Sequence, residues 1–495
     1  MVEIDTYWRN YIGGRWVDAR DGQRTTVLDP ATAEPLAEVA LASARDADDA
    51  VAAARRCVDS RALVSVRPVE RLRWVTGVGR ELAARRDRAA HVLSRDSGKA
   101  LSEAYVEVDG TIRYFEYYGS LADKLEGAYI PLGDGYVDYT VPVPHGVSAH
   151  VIPWNYPAEM VGRGTAPALA AGNAVVVKAP ELDPLGCHVI AEAVEAAGLP
   201  DGAFNLITGA GADAGAALVR HAGVDQIVFT GSVETGRSIL HAAADRIVPT
   251  VMELGGKSAA VVFDDADLDA LVDSTRWGIF MNAGQVCSAM SRVVVTPAVH
   301  DEVVDRVATL CAGLRVGAGI DDAELTPVVS ARQLERVTGF TERALTSGAS
   351  AATGGAALDR PGWFMAPTVL VDVDPSAEVA RDEVFGPVLS VLRAGSADEA
   401  IAIANGTEYG LAAGVFTRDL DRALWTADRL VAGQVFVNEW YAGGVETPFG
   451  GVKRSGFGRE KGQEAMRNYV QTKNVGIRIG EPRTRVPSIP SQWNV

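Results

Sequence analysis

The sequence has few cysteines, and they follow no pairing pattern. Cys57, Cys187, Cys287 and Cys311 are scattered, without a CxxC motif or a cysteine–histidine cluster. Disulfide frameworks and zinc sites both depend on such spacing, so neither is expected and no metal site is predicted. Unpaired cysteines are typical of proteins in a reducing compartment, and we therefore expect a cytoplasmic location.

Long apolar runs and an excess of positive charge are also missing. No stretch reaches the roughly 18 apolar residues that a membrane span needs, and the N-terminal segment MVEIDTYWRNYIGGRW lacks the pattern of a secretory signal. The chain has 47 Lys and Arg against 64 Asp and Glu, a formal net charge of −17. This charge disfavours binding to nucleic acids and anionic lipids, so neither kind of partner is expected.

What the 495 residues do contain is an alternation of short β-branched runs and Ala-rich helical stretches. From about 147 to 263 the runs VSAHVI, AVVVKA, FNLIT, QIVFT and AAVVF are separated by segments such as GCHVIAEAVEAAG. The alternation predicts βαβ units in a doubly wound, cofactor-binding domain. A second series begins near 288 with RVVVTP, PTVLVDV, PVLSVLRA, LAAGVFT and GQVFVN, and predicts a second α/β core.

Three segments carry residues suited to catalysis. Cys287 lies among small and polar residues in NAGQVCSAM, although a lone cysteine is more often a buried apolar residue than a nucleophile. Glu253 ends the apolar run TVMEL before a Gly-Gly turn, where a desolvated carboxylate suits a general base and an exposed one is only a surface group. Asn155 in VIPWNYP is either an oxyanion donor or a turn residue.

Signals for a nucleotide cofactor are individually weak. The segment FTGSVETG joins a strand to a helix through Gly231, Ser232 and Gly236, which suits a phosphate at a helix N-terminus or a plain turn. Lys178 and Glu181 follow another strand in VVVKAPE. A carboxylate there accepts hydrogen bonds from ribose hydroxyls and would repel the ribose phosphate of NADP, which favours NAD.

Seven segments together resemble the aldehyde dehydrogenase superfamily, in the order of that family. They are PWNYP, KAPE, FTGS, MELGGK, GQVCSA, EVFGP and PFGGVKRSGFGRE, with Cys287 34 positions after Glu253. The resemblance implies an α/β fold with a Rossmann-like cofactor domain (1–122 and 143–254), an α/β catalytic domain (255–471) and a small β oligomerisation arm with a tail (123–142 and 472–495). It also implies a homodimer or homotetramer, although Gln471 stands where many relatives have Glu.

The resemblance implies NAD-dependent oxidation of an aldehyde to a carboxylic acid. Cys287 matches the nucleophile that forms a thiohemiacetal and then a thioester, Glu253 the base that activates the hydrolytic water, Asn155 the oxyanion donor, and Glu460 a second carboxylate that assists proton removal. NAD is the expected cofactor, and some family members also accept NADP. The residues expected to contact it are Ile152, Trp154, Lys178, Glu181, Gly231, Ser232, Gly236, Leu254, Glu383 and Phe385.

Two other functions and the substrate remain open at this point. Relatives that transfer the acyl group to CoA commonly lack the carboxylate at position 253, so Glu253 favours hydrolysis. A non-catalytic scaffold would not need Cys287, Glu253 and Asn155, which are all present.

Tyr156, Glu159 and Arg163 are the expected substrate contacts. Arg163 stands where succinate semialdehyde dehydrogenases bind a carboxylate, which points to an acidic aldehyde. Two observations count against an acidic aldehyde. Glu159 could neutralise Arg163 as an i,i+4 pair, and Met281 stands where those enzymes carry a second Arg.

Overall fold

The computed structural model describes residues 3–480 and combines helices with four sheets. The α-helices in this range are α1 (Ala44–Asp59), α2 (Pro68–Ala83), α3 (Arg86–Ser97), α4 (Leu101–Leu121), α5 (Pro157–Ala171), α6 (Leu185–Ala197), α7 (Ala216–Arg220), α8 (Val233–Ala244), α9 (Leu268–Thr275), α10 (His300–Gly313), α11 (Ala331–Thr346), α12 (Glu378–Arg381), α13 (Ala397–Asn405) and α14 (Leu420–Arg429).

The strands follow the apolar, β-branched runs of the sequence. They are β1 (Tyr7–Trp8), β2 (Asn10–Ile12), β3 (Arg15–Val17), β4 (Arg24–Leu28), β5 (Pro35–Ala40), β6 (Tyr129–Ile130), β7 (Tyr136–Pro144), β8 (Val147–Val151), β9 (Ala174–Ala179), β10 (Phe204–Thr208), β11 (Gln226–Gly231), β12 (Thr250–Leu254), β13 (Ala259–Val262), β14 (Arg292–Val295), β15 (Ser350–Thr353), β16 (Thr368–Val371), β17 (Val388–Arg393), β18 (Ala412–Phe416), β19 (Gln434–Val437), β20 (Gly456–Phe457) and β21 (Val470–Arg478).

The first large sheet has the order β20-β12-β11-β8-β9-β10-β2-β3, and its five central strands are parallel. The chain runs outward from β8 through β9 to β10, then returns past β8 to form β11 and β12. The order therefore reverses between β8 and β11, and ligands of such sheets bind at the carboxyl ends of the strands beside that reversal. Ile152, Trp154 and Asn155 directly follow β8, and Glu253 lies near the end of β12.

The second large sheet has the order β15-β16-β17-β14-β13-β18-β19 and is parallel except for β15. Its strand β13, between β14 and β18, is the AAVVF run, which the alternation of strands and helices places in the first series. That grouping was wrong because the alternation does not reveal which sheet a strand joins. Every residue of β9 and β13 is buried, as expected for sheets covered on both faces, and the α/β fold class is confirmed.

A third sheet lies apart from these two. In it β21 pairs with β7 over nine residues, from Val470 opposite Pro144 to Arg478 opposite Tyr136, and β6 pairs with the other side of β7. β21 is thus an edge strand, and most of its side chains are exposed. This sheet includes much of the predicted arm, whereas residues 481–495 of the predicted tail lie outside the described residues. The domain boundaries stay a prediction.

None of the helices within residues 3–480 has the length and apolar character that a bilayer span requires.

Candidate active site

The thiol of Cys287 lies in a loop between the two large sheets. The loop follows a tight turn, Met281–Gly284, and precedes β14. Cys287 is half-buried, whereas Cys57, Cys187 and Cys311 are buried. Burial raises the pKa of the Cys287 thiol to about 12, with Arg163 acting in the opposite direction. The resting side chain is therefore a thiol, and it must lose its proton before it can act as a nucleophile.

Glu253 on β12 is a buried carboxyl group that is only 2% exposed. Neither of its oxygens has a hydrogen-bond partner among the described residues. A side chain at Gly450 would place its first carbon 2.7 Å from Glu253 Oε1, so the carboxyl packs directly on that glycine. Burial and then the charge of Glu460 raise the pKa of Glu253 well above its ordinary value, opposed by Arg163. Glu253 can therefore take up a proton at a higher pH than an exposed glutamate.

Arg163 and Glu460 form an ion pair beside Glu253. Nε of Arg163 lies 2.5 Å from Oε2 of Glu460, and both side chains are buried. The two groups are not aligned as a hydrogen bond, so the contact is chiefly electrostatic. The Arg163 guanidinium also lies over the ring of Phe449, 4.2 Å from its centre. Burial lowers the pKa of Arg163, but the surrounding acidic groups, among which Glu460 has the largest effect, together raise it, and the group stays charged.

Glu159 does not neutralise Arg163 in the way that the helical spacing suggested. Its carboxylate accepts a hydrogen bond of 2.9 Å from the Tyr114 hydroxyl and lies 3.9 Å from Nζ of Lys461. Burial raises the pKa of Glu159, but nearby cations, chiefly Lys461 and Arg163, and the hydrogen bond from Tyr114 lower it by more, so the net shift is downward. The region beside Cys287 thus contains two cation–carboxylate pairs. Lys461 was missed from the sequence, although it directly follows Glu460 in GREKG.

Both the side-chain amide and the backbone carbonyl of Asn155 are hydrogen-bonded. Its side-chain amide donates a hydrogen bond of 2.9 Å to the carbonyl of Gln285, two residues before Cys287. Its own carbonyl accepts hydrogen bonds from Asn282 Nδ2 at 2.9 Å and from Lys99 Nζ at 3.0 Å. Because a primary amide has two N–H groups, one remains for another acceptor. Lys99 also forms a fully buried ion pair with Glu107, a contact that no sequence motif indicated.

In an open α/β sheet, ligands bind in a groove at the carboxyl ends of the strands beside the reversal of strand order, and several predicted cofactor contacts lie at the ends of β9, β11 and β12. After β9, Lys178 Nζ lies 3.2 Å from Glu181 Oε2, and the Glu181 side chain is 43% exposed. After β11, Ser232 caps helix α8 by accepting a 3.2 Å hydrogen bond from Thr235 N–H. A side-chain carbon at Gly236 would come 2.7 Å from Leu254, so that glycine allows α8 to pack closely on β12.

The other wall of the groove comes from the loop before β17. Glu383 Oε1 accepts a 2.9 Å hydrogen bond from the Gly256 N–H, and burial raises the pKa of Glu383 to about 7. Phe385 has a left-handed backbone with φ of 61° and an edge-on ring contact with Trp154, with 5.2 Å between ring centres. The predicted cofactor contacts from the two halves of the chain thus face one another.

Three further predicted contact positions are Ile152, Gly231 and Tyr156. Ile152 donates a 3.3 Å backbone hydrogen bond to the carbonyl of Lys178, which joins β8 to β9 where both strands end. Gly231 is the last residue of β11. The Tyr156 ring lies under Lys99, whose Nζ is 4.2 Å from the ring centre. An exposed carboxylate, the N-terminus of a helix and an aromatic pair are groups suited to binding a dinucleotide.

Comparison with known proteins covers nearly the whole chain. The model of the aldehyde dehydrogenase family matches residues 16–475. The chain is 39% identical over 482 residues to the mitochondrial benzaldehyde dehydrogenase of Antirrhinum majus, covering 96% of this chain and 90% of that protein. The NAD+ complex of an aldehyde dehydrogenase from Bacillus cereus has a TM-score of 0.94 at 36% identity, covering 96% of this chain and 97% of that one. Betaine aldehyde dehydrogenase from Staphylococcus aureus, also in complex with NAD+, has a TM-score of 0.94 at 34% identity, covering 97% and 96%.

Proposed function

The chain belongs to the aldehyde dehydrogenase family, and we propose that it oxidises an aldehyde to a carboxylic acid with NAD, through a thioester on Cys287 that water hydrolyses. The observation that carries this proposal is the carboxyl group of Glu253. It is buried, lacks a hydrogen-bond partner in the described part of the chain, and is close enough to raise the pKa of the Cys287 thiol. Such a group suits a general base.

The cofactor is proposed from the groove and from the NAD+ complexes of the two solved relatives. Lys178 and Glu181 would hold the adenosine ribose, the N-terminus of α8 at Ser232 a phosphate, and Glu383 the nicotinamide ribose. Phe385 and Trp154 would flank the nicotinamide ring. When bound, NAD supplies the acceptor for the hydride that leaves the aldehyde carbon.

The chain's own residues provide the other steps. The Cys287 thiol gives its proton to a water molecule, Sγ forms a bond with the aldehyde carbon, and the carbonyl oxygen becomes an alkoxide. The free N–H of the Asn155 amide and the backbone N–H of Cys287 stabilise that oxygen. Once the carbon is oxidised, the acyl group is a thioester on Sγ. Glu253 then takes a proton from water, the water oxygen attacks the acyl carbon, and the C–S bond breaks to release the acid and the thiolate.

The structure bears on the choice of substrate through Arg163. Arg163 is only 4% exposed and its guanidinium is paired with Glu460, so the carboxylate of an acidic aldehyde would have to displace Glu460. We therefore favour an aldehyde without a carboxylate over a semialdehyde. The relative from Antirrhinum majus is named for benzaldehyde, which makes an aromatic aldehyde the first to test.

NADH formation by the purified protein tests the proposal. We expect activity with NAD and at least one of an aromatic, an aliphatic and an acidic aldehyde, and less activity with NADP. Cys287→Ala should abolish it, whereas Cys311→Ala, a buried cysteine elsewhere, should not. Activity that persists in Cys287→Ala would refute the assignment. A requirement for CoA with an acyl-CoA product would show acyl transfer instead of hydrolysis, and no activity with any aldehyde would favour a scaffold.

We also propose that the protein is a cytoplasmic homodimer or homotetramer. The exposed strand β21 supports self-association. It lies at the edge of its sheet within residues 3–480, and a strand at a sheet edge can pair with another chain. The four free cysteines support a reducing compartment. Light scattering on the purified protein tests the assembly: a monomer at micromolar concentration would contradict it.

A further inference from the structure

The turn that precedes Cys287 has an unusual backbone. Asn282, Ala283 and Gly284 have φ angles of 48°, 51° and 72°, so three consecutive residues are left-handed. Only the glycine adopts this conformation without strain, and strained residues persist where surrounding contacts hold them. Asn282 and Ala283 are buried, and a side chain at Gly284 would collide with the carbonyl of Gly386 at 2.1 Å. The turn therefore has little room to relax.

One side chain outside the turn holds its first strained residue. Both carboxylate oxygens of Glu103, on helix α4, lie 3.1 Å from the backbone nitrogen of Asn282 and accept its N–H. Removal of the Glu103 side chain would take both of these acceptors from a buried backbone donor. A charged acceptor makes this bond stronger than one to a neutral group.

The same turn fixes the catalytic groups. The Asn282 side chain donates 2.9 Å to the carbonyl of Asn155, and the Gln285 side chain donates 2.9 Å to the carbonyl of Asn282. The Asn155 amide donates 2.9 Å to the carbonyl of Gln285, two residues before Cys287. A shift of Asn282 would therefore move Asn155 and the Cys287 loop together.

We propose that Glu103 is a positioning residue, which holds the left-handed turn at Asn282 and thereby sets the Asn155 amide and the Cys287 thiol in their reactive arrangement. The proposal rests on the proposed function, since it assigns Glu103 a part in that reaction. The charged and titratable groups that act on Glu103 or feel its charge are Lys99, Asp322, Tyr156 and Tyr441. Glu103 acts through the turn, not on the reacting atoms.

Because Glu103 titrates, the proposal predicts a pH dependence of the reaction rate that a side chain with only a structural role would not produce. Burial raises the pKa of Glu103 to about 7, opposed by the Asn282 N–H and Lys99. Protonation removes the charge of Glu103 and turns one of its two acceptor oxygens into a hydroxyl group, so the contact to Asn282 weakens as pH falls through about 7. The rate of the first NADH burst in the native protein should rise with pH across this range.

The experiment compares the native protein with Glu103→Gln, Glu103→Leu and the control Glu116→Gln, an exposed glutamate on the same helix. Two rates are measured from pH 6 to 9: the NADH burst with NAD and an accepted aldehyde, and alkylation of Cys287 by iodoacetamide without substrate. We expect Glu103→Gln to lower the burst rate about tenfold above pH 7 and to lose the step near pH 7, because small misplacements of reacting groups are costly. The control should match the native protein.

Glu103→Gln keeps the size of the side chain, so it tests the proposal even if Glu103→Leu does not fold. Burst rates and pH profiles of Glu103→Gln within twofold of the native protein would overturn the positioning role. A native protein that forms no NADH with any aldehyde would overturn the proposed function instead. In that case the alkylation profile still decides whether Glu103 positions the thiol.

Discussion

Replacing Arg163 by Met removes the cation of a buried cluster while keeping a long side chain. In the native protein the guanidinium lies 2.5 Å from Glu460, which is 3% exposed, and over the ring of Phe449. The variant leaves the Glu460 carboxylate buried without its partner. Removing one member of a buried ion pair typically costs about 3–5 kcal/mol, and we expect a loss of that size. Because Arg163 also lowers the pKa of Glu253, that pKa should rise further.

Urea unfolding at neutral pH measures the loss, with Glu460→Gln and the double variant completing a cycle. The double variant has no unpaired charge at either position, so it should recover most of the stability that Arg163→Met loses. In Arg163→Met the half-maximal rate of thioester hydrolysis should move to higher pH. A loss under about 1 kcal/mol, or a double variant no more stable than Arg163→Met, would refute the electrostatic reading of this pair.

Three further changes address separate steps. Glu253→Gln should slow thioester hydrolysis by about 10²-fold or more and leave the NADH burst intact, as stopped-flow absorbance would show; loss of the burst instead would assign Glu253 to acylation. The same variant should also change the pH dependence of stability, because folding raises the pKa of Glu253. As pH rises above about 4, the native protein should lose stability relative to Glu253→Gln by at most roughly 1.4 kcal/mol per pH unit. Urea unfolding at several pH values measures this difference, and parallel stability curves for the two proteins would contradict it. Asn155→Ala should lower the burst rate by about 10²–10³-fold with little change in NAD affinity, and an unchanged burst would exclude an oxyanion role. Glu181→Gln should raise kcat/KM for NADP relative to NAD, and an unchanged ratio would mean that Glu181 does not select the cofactor.

The strands were predictable from the sequence, and so was the order of the segments that carry the candidate catalytic and cofactor-binding residues. Runs such as AVVVKA form buried parallel strands, because a strand covered on both faces must be apolar throughout. Glu253 and Asn155 could be placed at strand ends because they lie at or just after such apolar runs. The family motifs then singled out Cys287, which its local sequence alone could not distinguish from a buried structural cysteine.

Contacts between distant segments were not predictable. Helical spacing suggested Glu159 as the partner of Arg163, but the partner is Glu460, almost 300 residues away along the chain. Local periodicity describes which neighbours share a helix face, and it contains no information on which loop packs against that face. The left-handed backbone at Asn282 was hidden for a similar reason, since only Gly284 in NAGQ signals a special conformation.

The most direct test of the central claim is the intact mass of the Glu253→Gln protein after mixing with NAD and an accepted aldehyde, followed by peptide mapping. The account predicts that one acyl group accumulates on the peptide that contains Cys287, with one NADH formed for each acyl group. An acyl group on Cys57, Cys187 or Cys311, or NADH formation without any acylated peptide, would contradict a thioester on Cys287.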